Sequence, residues 1–451
     1  MSTDNNFIQR LGNTVANLTV RWIPDALVIA VALTLLIYFL ALATTSHGPV
    51  ALIDQWYAGF WGLLGFSMQM VLIVITGFGL ASSKLVKFGL RKIANIPKSG
   101  TSAVVITAFV MIILTFIHWG VGLVVGAFLA KEVAITAKRR GVKVHYPLLA
   151  AAGYGGVVVA QSGLASSAAL LVNTPGHFLE DKLGIIPLSE TIFQAYNLVY
   201  VLGVLIIIPL FLMLMHPKGN NIIEIQDFAE ELEEPTQEKV NKSPAERAND
   251  SKILMYLVVA GGLFFSVKYI IQNGVVDINL NVVNFFFLML GILLHGSLTK
   301  YTDALVKGSS ALVGIIIQFP FYAGILGIMA SSGLLAQIAT MMIKIATPET
   351  YAVLTMFSAA IINMAVPSGG GQWAIQGPIA VQIASDLNVP GHLAVMSVMM
   401  GDAITNLIQP FWALPLLGIT GLRVGQVLGY TALLTAIILT LAALCLYFLG
   451  M

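Results

Sequence analysis

Apolar residues in this chain gather into long, unbroken runs rather than into the alternating or one-sided stripes of a soluble core. A run of about 20 apolar residues matches the hydrocarbon thickness of a bilayer at 1.5 Å of helical rise per residue. Such runs predict nine spans, at 24–45, 60–81, 147–172, 191–214, 254–271, 281–297, 310–330, 391–417 and 424–449. Two further apolar stretches, 101–130 and 351–385, do not read as simple spans. No charged residue lies between Tyr351 and Ser385, yet the centre of that stretch is PSGGGQWAIQGP (367–378). Irregular backbone at membrane depth is tolerated only where it is buried in protein or lines a water-filled cavity.

Basic residues in short loops mark the cytoplasmic side. Arg10 and Arg21 put the N-terminus inside, and loop 46–59, without lysine or arginine, goes outside. Lys84, Lys87, Arg91, Lys92 and Lys98 precede 101–130, while Lys131, Lys138, Arg139, Arg140 and Lys143 follow it. Both flanks are thus inside, so 101–130 reads as a re-entrant hairpin bending at Gly120 and Gly122, with legs of about 15 residues, roughly 22 Å each. One long tilted helix is the alternative. Phe7, Ile8, Leu11, Val15 and Leu18 recur at helical spacing and predict an interfacial helix over 1–23, against the alternative of a frayed tail. The one aqueous segment, 216–253, carries Glu230, Glu231, Glu233 and Glu234 and reads as a cytoplasmic linker between a first membrane unit (24–215) and a second (254–451).

The two units resemble each other. GFSMQMVLIVITGFGLASS (65–83) lies over GIIIQFPFYAGILGIMASS (314–332) at an offset of 249, and Gly126 falls over Gly377 at 251. The stretch 156–176 lies over 401–421 with its terminal glycines 245 apart. Span 60–81 runs outside to inside, whereas 310–330 runs the other way. The fold predicted is an all-α polytopic membrane protein made of an inverted repeat, about nine transmembrane helices and two re-entrant helical hairpins, an architecture that places substrate near the midplane.

Composition sharpens the class. The chain has 451 residues, 58% hydrophobic and 10% charged, far from soluble averages. A net charge of +2 says nothing of nucleic acid, and the single cysteine, Cys445, excludes an internal disulfide or a cysteine metal cluster. Polar residues expected near the midplane are neutral and include Gln161, Ser167 and Asn173. The predicted substrate-binding set is His118, Trp119, Gly120, Ser162, Ser166, Ser368, Gly369, Gly370, Gly371, Gln372, Asn406 and Gln409. The glycines would turn backbone N–H groups toward a ligand at a positive helix end. With no intramembrane lysine or arginine as counter-ion, a small monocarboxylate fits better than a dicarboxylate or phosphate. His118 and Asp402 are the ion-coupling candidates, for H⁺ or Na⁺, because ionisable groups inside a membrane are rare and usually functional. No cofactor or metal centre is expected. AQSGLASS (160–167) with His118 also permits an intramembrane serine hydrolase, and the same hairpins would build a passive channel.

RWIPDAL (21–27), FIHWGVGLVVGAFLAKEVA (116–134), QFPFYAGI (318–325), AVPSGGGQWAIQGP (365–378) and QPFWALPLLGITGL (409–422) resemble the AtoE-type short-chain fatty acid transporters, over nearly the whole chain. The resemblance implies uptake of acids such as acetoacetate or butyrate across a bacterial inner membrane. It also implies kinship with the ion-transporter superfamily, in which hairpins and broken helices form a mobile, elevator-like transport domain against a usually dimeric scaffold.

Overall fold

The computed structural model describes residues 24, 26–217, 219–226, 243–364 and 366–450, and every regular element among them is a helix. The predicted interfacial helix over 1–23 and the acidic part of the linker, 227–242, lie outside the described residues. The first half contains α1 (Ala26–Thr44), α2 (Pro49–Phe60), α3 (Leu64–Ala81) and α4 (Lys84–Ala94). The paired helices α5 (Gly100–Ile117) and α6 (Trp119–Arg139) come next. A broken segment, α7 (Tyr146–Tyr154) and α8 (Ser167–Val172), then leads to α9 (Ala195–Leu214). After α10 (Lys252–Asn273) the second half opens with α11 (Leu280–His295), α12 (Leu298–Gly308), α13 (Val313–Ser332) and α14 (Leu334–Ile343). It continues with α15 (Pro348–Asn363), α16 (Gly369–Asp386), α17 (Gly391–Thr405), α18 (Pro410–Thr420) and α19 (Val424–Leu449).

Among the described residues, 9 helices are long and apolar enough to cross a membrane, or up to 10 if the bent pair α11–α12 is one span. They are not the same nine as the sequence pattern drew. Both α5 and α6 are among them, whereas 147–172 is not one helix: a 3-10 turn, Gly155–Val159, and an irregular stretch divide it. Four short helices (α2, α4, α12 and α14) occupy what the pattern left as loops or span ends. At 10–12 residues each is too short to stand out as a hydropathy peak.

The hairpin legs are longer than expected and the bend is elsewhere. α5 and α6 have 18 and 21 residues, and the only non-helical residue between them is His118, not Gly120 or Gly122. Those glycines serve close packing instead: a Cβ on Gly122 would lie 2.8 Å from the Cα of Thr115 on the opposite leg. The second hairpin zips in the same antiparallel way. Tyr351 donates to the Ala380 carbonyl at 2.7 Å, Gln376 to Ser358 Oγ at 2.9 Å, and Gln372 to the Ala359 carbonyl at 2.9 Å.

Corresponding elements carry corresponding caps. His118 and Ser368, 250 positions apart, have φ/ψ of −157°/107° and −158°/109°, and each side chain accepts from the N–H three residues on. Ser99 and Thr347 each form a reciprocal capping box, opening α5 and α15. The 3-10 turns Gly155–Val159 and Asn406–Ile408 begin 251 apart, while Gly176 and Gly421, both at positive φ, are 245 apart. The gap that follows the turn is seven residues (160–166) in the first half and one (Gln409) in the second.

Packing exchanges partners between halves. α13 packs on α1 and α2, and α3 packs on α11 and α12. Gly59 of α2 approaches Gly327 of α13 so closely that a Cβ would lie 2.6 Å from the Gly327 Cα; at an offset of 249, Gly308 instead makes room for the Phe78 ring. Side-chain-free positions let helices approach at backbone contact, the usual basis of helix association in lipid. At one end, the linker is latched by buried His145. Its Nδ1 accepts from the Ile223 N–H at 3.0 Å, and its Nε2 lies 2.9 Å from the Tyr430 hydroxyl of α19. Burial, aided by nearby His216, pushes the His145 imidazole down to about 4, so the ring stays neutral and Nδ1 stays an acceptor.

Candidate functional site

The two breaks meet. Tyr154, at the end of α7, donates to the Asn406 carbonyl at 2.6 Å, and each break is tied to the hairpin tip of its own half. The Leu164 N–H donates to the Phe116 carbonyl at 2.7 Å, and Trp412 Nε1 to the Pro367 carbonyl at 3.0 Å. Between the breaks lies a small cavity, about large enough for a single water. Thr115, Trp119, Tyr154, Gln161, Asn406 and Trp412 supply its polar lining, Leu123, Val157 and Ala160 apolar wall, and no charged side chain lines it. The Trp119 and Trp412 rings meet edge to face, with centroids 5.7 Å apart. Most of the polar lining is already engaged: Gln161 Oε1 accepts from the Ser167 N–H at 2.8 Å, and Asn406 Oδ1 accepts from Asn363 at 2.7 Å. Trp119 Nε1 is different. It is buried and has no partner.

Of the twelve residues expected to bind substrate, Trp119 and Asn406 line this cavity. The three glycines of the second tip do not; the space their side chains would fill is taken by neighbours. A Cβ on Gly369 would meet the Gln161 amide, one on Gly370 the Met70 Sδ at 2.9 Å, and one on Gly371 the Tyr322 ring at 2.6 Å. They let the tip wedge between α3, α13 and the first break. Ser368 caps α16, and Gln372 braces the two legs. Gln409 holds the tip from behind, donating to the carbonyls of Asn363 and Met364 at 2.8 and 3.2 Å. His118 and Gly120 face α3 and α11: the His118 ring stands edge-on to Phe287 at 4.3 Å, and its Cε1 lies where a Gly77 Cβ would be, 2.8 Å away.

Ser162 and Ser166 are fully buried with hydroxyls that have no partner. A serine nucleophile needs a base within hydrogen-bond reach, and Ser162 Oγ has none here. Sequence reasoning missed Thr115, Tyr154 and Trp412 as lining. Trp412 sits in the QPFWALP block, so a signal existed; Thr115 and Tyr154 look like any polar residue in an apolar helix.

A family model described as short chain fatty acid transporter matches residues 7–449. A protein of Escherichia coli (strain K12), provisionally named a short-chain fatty acid transporter, is 38% identical over 444 residues, covering 98% of this chain and 100% of its own. One of Haemophilus influenzae (strain Rd), named in the same way, is 38% identical over 442 residues, covering 96% and 97%. The solved YdaH transporter of Alcanivorax borkumensis matches 95% of this chain and 98% of its own at a TM-score of 0.60 and 15% identity, a likeness of fold alone. With a family model spanning the chain and relatives matched end to end, this multi-pass membrane protein belongs to the short-chain fatty acid transporter family.

Proposed function

We propose that the protein is a secondary active carrier that imports small monocarboxylates, short-chain fatty acids such as butyrate or acetoacetate, across the bacterial inner membrane, coupled to an ion gradient. The observation that supports it most is the cavity between the two breaks, with neutral hydrogen-bonding groups on some walls and apolar residues on others. With the cavity opened to admit substrate, a carboxylate meets the unspent Trp119 N–H, and a short acyl chain packs against Leu123, Val157 and Ala160. A second carboxylate would find no cation in the lining.

The test is uptake of radiolabelled butyrate into proteoliposomes under an imposed Na⁺ or pH gradient, with protein-free liposomes as control because the neutral acid crosses lipid unaided. Protein-dependent accumulation against the butyrate gradient is expected under one of the two. Equilibration without accumulation under either would identify a channel or uniporter instead.

In this reading α1–α9 and α11–α19 are inverted repeats, the hairpins re-enter from opposite faces, and a dimeric scaffold carries an elevator-like transport unit. The N-terminus is cytoplasmic and the C-terminus periplasmic. The matching caps at His118 and Ser368 and the exchanged packing of α3 and α13 support it. In a Cys445→Ser background, Ser99→Cys and Thr347→Cys, both exposed at the feet of their hairpins, are expected to react with an impermeant maleimide from opposite faces, Ser99→Cys from the cytoplasm. Labelling of both from one face would sink the inverted arrangement.

A further inference from the structure

One short helix carries a charge that the protein itself does not balance. α4 follows α3, leads into α5 and places Lys84, Lys87, Arg91 and Lys92 within 11 residues that include no acid. Lys84, Lys87 and Arg91 fall at i, i+3 and i+7 on one face, and among the described residues none of the four basic groups pairs with a carboxylate. Lys84 and Lys87 stand in the first turn, where the helix dipole disfavours a cation, and like charges three and four residues apart repel. Helix stability therefore opposes this arrangement and does not account for it.

The rest of the helix narrows what would answer the charge. Leu90 and Ala94 are buried, with Val86 and Ile93 packed beside them, so this side faces the protein, where α4 rests on α6. On the outward side Leu85 and Phe88 are 60% and 55% exposed, and Ile96, just past the helix end, is 57% exposed. Lys92 Nζ stands over the Phe88 ring, 4.6 Å from its centroid. An apolar edge beside a basic edge is the pattern of a helix lying among lipid headgroups. Arg140, just past α6, donates to the carbonyls of Asn95 and Pro97 at 2.7 and 3.0 Å and brings a fifth cation to the end of the helix. The second half supplies a comparison. α14 stands to α13 as α4 stands to α3, beginning 250 positions later, and its sequence, LLAQIATMMI, contains no charge. The fold thus needs a short helix at this position but not a basic one.

We propose that the outward face of α4 binds an anionic phospholipid, its phosphate held by Lys84, Lys87 and Arg91 and its acyl chains lying along Leu85, Phe88 and Ile96. A phosphodiester brings a negative charge and acceptor oxygens that basic side chains share. A soluble anion would answer the charges but leave the apolar edge unused. Because α4 leads into α5 and Arg140 follows α6, the lipid holds both feet of the first hairpin at the headgroup level. Basic residues beside a span also steer its insertion, but that role is over once the chain has folded, and the folded protein then has no reason to respond to lipid charge. The site does not depend on the carrier reading.

The experiment measures the unfolding temperature of the full-length protein in detergent micelles doped with phosphatidylglycerol, against the same fraction of phosphatidylcholine. Phosphatidylglycerol is expected to raise Tm in a saturable way, and the shift to shrink as choline chloride raises the ionic strength. In Lys84→Gln/Arg91→Gln, changed at two exposed positions, the amount of phosphatidylglycerol needed for half the shift is expected to rise roughly tenfold or more. Lys300→Gln/Lys307→Gln removes the same charge from exposed positions on α12 and is expected to respond like the unaltered protein. Equal shifts with the two lipids, a response kept in full by the α4 variant, or equal losses in both variants would overturn the site. So would a matching shift with glycerol phosphate, which carries the anion without the acyl chains.

Discussion

Trp119→Phe is expected to raise the apparent KM for butyrate uptake roughly ten- to a hundredfold and to leave Tm unchanged or slightly higher. The two effects separate because of what the indole N–H does before substrate arrives. It is buried at the cavity wall and unpartnered, so the empty protein bears a desolvated donor with nothing to repay it. Phenylalanine removes that donor and keeps most of the ring that meets Trp412. A hydrogen bond from a buried N–H to an anion is worth about 1.5–3 kcal/mol, and each 1.4 kcal/mol is about tenfold in affinity. Uptake kinetics in proteoliposomes and a thermal unfolding curve read the two halves independently. Unaltered KM with unaltered Tm would remove Trp119 from the carboxylate site, and with it the placement of substrate between the breaks.

A large loss of stability is expected at Gly126, where alanine should cost about 1–3 kcal/mol or more. A Cβ there would overlap the Gly153 carbonyl oxygen and lie 3.1 Å from its carbon, and a Cβ on Gly153 would meet the Gly126 carbonyl carbon at 3.2 Å. Both obstacles are backbone within helices, so relief requires α6 and α7 to move apart, and that crossing shapes one wall of the cavity. Gly261 is the control. It lies within α10, is exposed, and a Cβ there would meet nothing within 4 Å. Gly261→Ala is expected to be neutral or to stabilise by about 0.5–1 kcal/mol, because glycine is the poorer helix former. Opposite signs for one chemical change, read by thermal unfolding in detergent, would isolate the contact from the propensity. Equal shifts would mean that the α6–α7 approach is looser than the structure has it.

The same pair of glycines shows where sequence reasoning stops. Gly126 was matched to Gly377 by its place in the repeat, yet Gly126 fits a neighbouring helix backbone and Gly377 fits the ring of its own helix's Trp373. The PSGGG run was legible as broken backbone in an apolar stretch, and so was its position at a hairpin tip. Which side of the tip faces a ligand was not legible, because that depends on Met70, Phe319, Tyr322 and Gln161 arriving from elsewhere in the chain. His118 is a parallel case: polar, at a bend, and turned against Phe287 and Gly77 rather than the cavity.

By itself the sequence determined the helical class, the spans around α1, α3, α9, α10, α13 and α19, and the broken backbone at Pro367–Gly371 between two paired helices. These follow from local rules: backbone groups in an apolar run must pair within their own helix, and proline or clustered glycine interrupts that pairing. Only the tertiary structure decided the bend at His118, the exchange of α2 and α12 between halves, the cavity lining, and the burial of Asp402. In a membrane protein, lipid-facing and protein-facing positions are both apolar, so hydropathy cannot tell them apart. Close helix crossings and donor–acceptor balance are properties of pairs of residues far apart in the chain, and they exist only once the helices have met.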